Sequence, residues 1–268
     1  MPIETILIFL AIGSMAGAFG GLLGIGGSAI FIPAATLFVG PDQQTYQAAA
    51  MILNVVVAGT ATMKHHRRKA ISWPLVIRMT PFAICFAIIG VFISNMMNGQ
   101  TLIQIFGVLL WIIAASEIIG LIIGDRKSAE TLSSKPPRES LPMLGSIGGF
   151  MGLCGGFLGI GGGVIALPLL NRVARIPLRK AIAVTACVTL PMSLIGAIVK
   201  NTTLHEITRD GVPLSMWNSV AIAAAVIPTA VIGSWIGASL VHVLPVKWIR
   251  SVFACLLVFA GFKMTGTL

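Results

Sequence analysis

The sequence predicts an all-α, polytopic integral membrane protein, and three observations carry that prediction. The residues AVILMFWYC make up 56% of the 268 positions and Asp, Glu, Lys and Arg only 10%, whereas a soluble chain carries about 25% charge. The mean hydropathy is +0.97, and the thirty glycines sit inside long apolar runs rather than in polar tracts. The chain also repeats itself: GGLLGIGGSAIFIP at 20–33 overlays GGFLGIGGGVIALP at 155–168 at an offset of 135, with nine of fourteen positions identical. So few charges cannot cover a water-facing surface, which excludes a soluble enzyme, a nucleic-acid binder, a disulfide-stapled module and a disordered tail.

A bilayer core about 30 Å thick needs about 20 helical residues to cross it. Apolar runs fall at 3–23, 28–39, 45–63, 73–95 and 101–123, then at 141–160, 163–171, 180–199, 217–240 and 244–266. They are apolar on all sides, which argues helices, because membrane strands alternate over about 10 residues. Residues 1–12, MPIETILIFLAI, lack the basic start of a secretory signal and read as mature sequence. Between the two sets lies GDRKSAETLSSKPPRES, residues 124–140, rich in charge, Ser and Pro and read as a solvated linker. The expected organisation is a first transmembrane repeat at 1–123, a cytoplasmic linker at 124–140 and a second repeat at 141–268.

The net charge of +10 reflects loop topology, since the 18 Lys and Arg concentrate between apolar runs. KHHRRK at 64–69, the linker and the stretch 171–180 hold four each, and Lys247 and Arg250 bring the total on one consistent side to fourteen. The other side has Lys200, Arg209 and Lys263. By the positive-inside rule, the basic loops are cytoplasmic, both termini lie outside, and the second repeat starts from the side opposite to the first. Inverted repeats with broken helices are a recurrent plan of secondary transporters.

The second segment of each repeat completes that plan. Residues 28–39 make about 18 Å of helix and 163–171 about 13 Å, both too short to span. Each follows a Gly-rich turn at membrane depth, where irregular backbone survives only if protein buries it or it lines a cavity. The string at 23–28 is not a dinucleotide fingerprint, because no strand precedes it and no acidic residue follows about 20 positions on. Glycine permits positive φ and close backbone approach, so the string can end one half-helix and open another whose first N–H groups lack helical partners. Two such ends, opening at Ser28 and Gly163 and converging on the midplane, offer about one unit of positive potential, and an anion is the natural guest. Helix-end interactions of about 2 kcal/mol each correspond to roughly millimolar binding. The competing role for these glycines is close helix packing.

Two LGIGG strings, each followed by an apolar stretch with Pro33 or Pro168 in an inverted-repeat chain of this size, resemble the TauE/SafE sulfite exporter family. The resemblance covers essentially the whole chain. It implies an inner-membrane permease that moves sulfite, organosulfonates or related small anions. The motif positions carry over as Gly24, Gly26, Gly27 and Ser28, and as Gly159, Gly161, Gly162 and Gly163. Gly27 and Gly162 are the positions where an added β-carbon is expected to obstruct backbone approach and any positive-φ geometry. Gly163 stands where the first copy has Ser28, so a hydroxyl contact comes from one half only.

Asn54, midway along the third segment, and Thr185, Cys187 and Thr189 in its repeat partner are neutral groups suited either to completing an oxyanion's hydrogen bonds or to bonding between helices. Glu117 is the one carboxylate well inside an apolar run, and intramembrane charge is functional by default. Arg78, at similar cytoplasmic depth, is its expected structural partner, with proton coupling through Glu117 as the other reading. His65 and His66 read as part of a basic loop. The four cysteines show no metal-ligand spacing, so no metal and no cofactor is expected.

The leading function is a carrier or export permease for a small sulfur-containing anion, in a lipid bilayer and without nucleic-acid partners. A cation carrier using exposed carbonyls at the broken ends is disfavoured by the near absence of carboxylates at depth. An intramembrane enzyme lacks a nucleophile and base, or a metal set, within the spans, so the chain is not expected to be an enzyme. Proton or sodium coupling, assembly as a homo-oligomer, transport direction and the exact substrate stay open at the level of sequence.

Overall fold

The structure is a computed structural model and describes residues 2–122, 138–209, 212–241 and 243–265. Among these residues the α-helices are α1 Ile3–Leu23, α2 Ser28–Phe38, α3 Gln43–Arg67, α4 Trp73–Asn95, α5 Gly99–Ile122, α6 Leu141–Leu158, α7 Gly163–Pro168, α8 Leu178–Thr202, α9 Met216–Leu240 and α10 Val246–Thr265. Helix α7 runs on as a π-helical turn over Leu169–Val173. Two-residue strands, β1 Thr208–Arg209 and β2 Val212–Pro213, pair antiparallel in the connection before α9. Six helices among the described residues are long and apolar enough to cross a membrane: α1, α3, α4, α6, α8 and α9. The chain is a polytopic, all-α membrane protein, with Ile77, Phe92, Ile232 and Phe259 among its exposed, outward-facing apolar side chains.

The expected segments hold with shifted ends. The third runs from Gln43 to Arg67 because Asp42 caps it, accepting from the Thr45 N–H at 3.4 Å. Lys64 to Arg67 belong to the last turn of α3 and not to a loop as the charge run suggested, and His65 is fully buried there. Of the 124–140 linker, residues 124–137 lie outside the described residues.

Helix pairing crosses between the repeats. Gly13, Gly17 and Gly21 of α1 lie against Val226, Ala230 and Ser234 of α9, while Gly148, Gly152 and Gly156 of α6 lie against Met79, Ala83 and Ala87 of α4. Small residues at every fourth position let backbones meet, which is how helices associate where lipid is as apolar as the protein. The first helix of each repeat therefore packs on the fourth helix of the other. At the centre α3 and α8 run antiparallel, with Met51 beside Gly196, Leu190 beside Gly59, and Lys200 bonded to Gln44. Helix α5 meets α10 through Trp111 and Phe262, edge to face at 4.3 Å between ring centroids.

Candidate functional site

Helix α1 stops at Gly24 (φ 65) and α6 at Gly159 (φ 74), both left-handed. Glycine enters that region without the cost a β-carbon imposes. Two short turns then bring the N-termini of α2 and α7 together: a β-carbon at Gly163 would lie 2.5 Å from Ile25 Cα and 2.9 Å from the Gly24 carbonyl oxygen. The two Gly-rich strings are thus in direct backbone contact, flanked by the middles of α3 and α8. Ser28, Asn54, Thr185 and Thr189 are fully buried in this junction.

Asn54 bridges the two strings. Its Oδ1 accepts from the Ser28 N–H at 3.2 Å, the first donor of α2, and its Nδ2 donates to the Gly159 carbonyl at 3.2 Å. A partially negative oxygen therefore already sits on a helix N-terminus that favours negative charge. At the repeat offset of 135 Asn54 falls on Thr189, whose hydroxyl donates to the Gly161 carbonyl at 3.1 Å. Thr185 donates back within its own helix, to the Ala181 and Ile182 carbonyls at 2.9 and 3.0 Å. Cys187 is buried as a free thiol. Among the described residues the Ser28 hydroxyl has no hydrogen-bond partner, an exception for a buried polar group.

Gly27 and Gly162 do not behave alike. Gly162 has φ 68, but Gly27 has φ −88, a conformation open to any residue. Gly24 and Gly26 of the first string share positive φ with their counterparts Gly159 and Gly161, so the two strings part only at Gly27 and Gly162. A β-carbon at Gly27 would meet the Ala16 carbonyl and Leu53 Cδ2 at 3.2 Å, so space and not backbone angle favours glycine there.

Arg78 is exposed and its Nη1 donates to the backbone carbonyl of Glu139 at 2.7 Å. Helix α4, which carries it, packs on α6 and α8, and α5, which carries Glu117, packs on α10. The Glu117 side chain lies outside the described residues. Among the described residues no group of three His, Cys, Asp or Glu side chains is placed to hold a metal ion.

Sequence reasoning missed a polar ladder that climbs from the second string to the end of the bundle remote from the basic turn at 64–69. Gln47, packed on Gly159, donates to the Phe157 carbonyl at 3.4 Å and accepts from Ser94 Oγ at 2.8 Å. The Lys200 ammonium then reaches Ser94 Oγ at 3.2 Å and Asn95 Oδ1 at 2.7 Å, and it also donates to Gln44 Oε1. Gln43, Gln44 and Gln47, closely spaced at the start of an otherwise apolar span, were the available signal.

A polytopic helical bundle with two undersized helices whose N-termini meet at buried, glycine-rich turns has the build of a membrane transporter. The family model described as "Sulfite exporter TauE/SafE" matches residues 9–264, and the chain belongs to that family. Curated relatives include the probable membrane transporter protein MamO of Paramagnetospirillum magneticum, 28% identical over 285 aligned positions covering 96% of this chain and 44% of the relative. The protein of the same name from Magnetospirillum gryphiswaldense is 25% identical over 279 positions, covering 94% and 43%. The chain thus spans under half the length of these curated relatives. No solved structure matches the chain.

Proposed function

We propose that this chain is a carrier for a small sulfur-containing oxyanion such as sulfite or an organosulfonate, bound where the N-termini of α2 and α7 meet. The observation that carries the reading is the Ser28 hydroxyl, fully buried and without a partner among the described residues, beside an N–H that already holds the Asn54 carboxamide oxygen. The oxyanion takes the place of Asn54 Oδ1 on the Ser28 N–H and gains the Ser28 hydroxyl as a further donor. Gly24, Gly26, Gly159, Gly161, Gly162 and Gly163 allow the backbone to approach it. Thr189 holds the second string, and Asn54, once displaced, is free to donate its amide hydrogens to the anion.

The antiparallel crossing of α3 on α8 and the reciprocal packing of α1 on α9 and α6 on α4 support two repeats, 1–123 and 141–268, inverted in an inner membrane. In this orientation the basic turns are cytoplasmic and both termini lie outside. The buried junction represents an occluded state, and rocking of the repeats about it exposes the site to either side. A thermal-shift screen of detergent-purified protein against sulfite, sulfate, thiosulfate, sulfoacetate and taurine tests the substrate class. A bound anion raises the melting temperature by mass action. Stabilisation by sodium or potassium chloride equal to that by every sulfur oxyanion would contradict it.

A further inference from the structure

Above the ladder, at the end of the bundle remote from the basic turns, lies an open cavity of about 570 Å³. Its wall includes Gln43, Gln44 and Asn95, with Gln100 and Ile103 of α5 across from them. Lys200 lies beneath the floor without lining it: fully buried, it donates to Gln44 and Asn95, which do line the cavity. All three of its hydrogens are spent on neutral oxygens, those of Gln44, Ser94 and Asn95. Among the described residues no carboxylate lies within ion-pair distance of it. A buried charge is costly unless it is paired, and among the described residues the ammonium has neutral hydrogen-bond partners only.

In the cavity wall the Gln43 side chain is 2% exposed, and among the described residues neither its amide nitrogen nor its oxygen has a partner. Two carboxylates also line the cavity. Asp42 caps α3 through the Thr45 N–H, and Glu206 is exposed at the mouth. They oppose an anion at the mouth, while the ammonium and the free amide favour one at the floor. The repeat offset of 135 carries Lys200 onto His65, which is fully buried at the other end of the central helix pair. The fold thus keeps a basic side chain inside the protein at both ends of the pair.

We propose that Lys200 and Gln43 form a second oxyanion station, distinct from the midplane junction, at which a sulfate-like anion docks before or after occupying the central site. The station rests on the reading of the protein as an oxyanion carrier, and it supplies what the junction lacks, a basic side chain. The anion displaces the Gln44 oxygen from Lys200 and accepts a hydrogen bond from the Gln43 amide. The ladder from Ser94 through Gln47 connects the station to Gly159. Its neutral hydrogen-bonding groups can hand an anion inward without trapping it.

The test places a cysteine at Gln100, an exposed residue on the cavity wall, in detergent-purified protein with the four native cysteines replaced by alanine. Its reaction rates with a sulfonate-bearing and a trimethylammonium-bearing methanethiosulfonate reagent are compared. Lys200→Gln is expected to lower the ratio of anionic to cationic rate by about fivefold, as removal of one nearby unit charge should, and Lys200→Arg to keep it. Sulfate at 10 mM, as a probe, should slow the reaction in the parent and in Lys200→Arg but not in Lys200→Gln. An unchanged ratio in Lys200→Gln overturns the proposal. So does a parent protein that sulfate fails to protect, because Lys200 is then a structural charge only. Gly162→Val, aimed at the midplane site, should leave sulfate protection at Gln100 intact, so failure of the central site and failure of the station give different results.

Discussion

Gly27 and Gly162 occupy the same place in the repeated string, yet Gly162 takes φ 68 and Gly27 takes φ −88. One residue later Ser28 buries a hydroxyl with no partner among the described residues, whereas a β-carbon at Gly163 would run into Ile25 Cα. Their supports differ too: Asn54 bridges both strings, and Thr189, its repeat counterpart, holds only the second. The surroundings diverge in the same sense. Gly159 rests on Gln47 and the polar ladder, and Gly24 rests on Ile182, the residue that the offset of 135 places opposite Gln47. A shared glycine string therefore fixes where the chain turns, and its unlike neighbours decide what each turn offers a ligand. Side-chain polarity comes from the first half, while the second contributes close-packed backbone.

That asymmetry is most open to attack at Gly162. Valine there must enter the left-handed region, at a cost of about 1–2 kcal/mol, and its β-carbon overlaps the Met151 carbonyl. Gly162→Val is expected to lower the melting temperature markedly and to abolish anion binding at the junction. Gly27→Ala meets neighbours at 3.2 Å in an ordinary conformation and should cost far less. Equal losses in the two variants, by thermal denaturation, would restore the symmetry that the backbone angles deny.

The bridge sharpens the comparison next. Asn54→Ala strips partners from the Ser28 N–H and the Gly159 carbonyl, and each buried group left unsatisfied costs about 1–3 kcal/mol. Thr189→Val frees one carbonyl. The expected order of destabilisation is Asn54→Ala beyond Thr189→Val, measured as melting temperatures of monodisperse protein. The reverse order would remove Asn54 from its bridging place.

Topology gives a third check. Cysteines placed singly at Lys69 and Arg175 in a Cys-free background should resist an impermeant thiol reagent in whole cells, and one at Gln100 should react. Labelling at Lys69 but not at Arg175 would put the α3–α4 and α7–α8 connections on opposite sides and break the inverted arrangement.

Much of this architecture was legible in the sequence, because apolar length and the repeated string are local signals. The ten segments, the two undersized helices and the turns at Gly24 and Gly159 follow from runs and glycines alone. What stayed hidden depends on which helices become neighbours. Lys200 was counted as a loop charge, yet it is buried because α8 continues past it and α3 and α4 bring Gln44, Ser94 and Asn95 around its ammonium. Depth along the helices is all that pairs Arg78 with Glu117 in the sequence; the guanidinium donates to the Glu139 carbonyl, and the Glu117 side chain lies outside the described residues. Gly27 and Gly162 were given one role because identical letters conceal different backbone angles.

The smallest structural change bears most directly on where the anion sits. Ser28→Ala removes a hydroxyl that has no hydrogen-bond partner among the described residues, so the melting temperature without ligand should hold or rise. Calorimetric titration of the wild type and Ser28→Ala with the anion that stabilises best then isolates the ligand's contact. A junction site predicts binding in roughly the millimolar range for the wild type and a several-fold weaker constant for Ser28→Ala, at unchanged or higher stability. Identical affinities in the two proteins, with Gly162→Val also binding as the wild type does, would contradict an oxyanion held between the two half-helix ends.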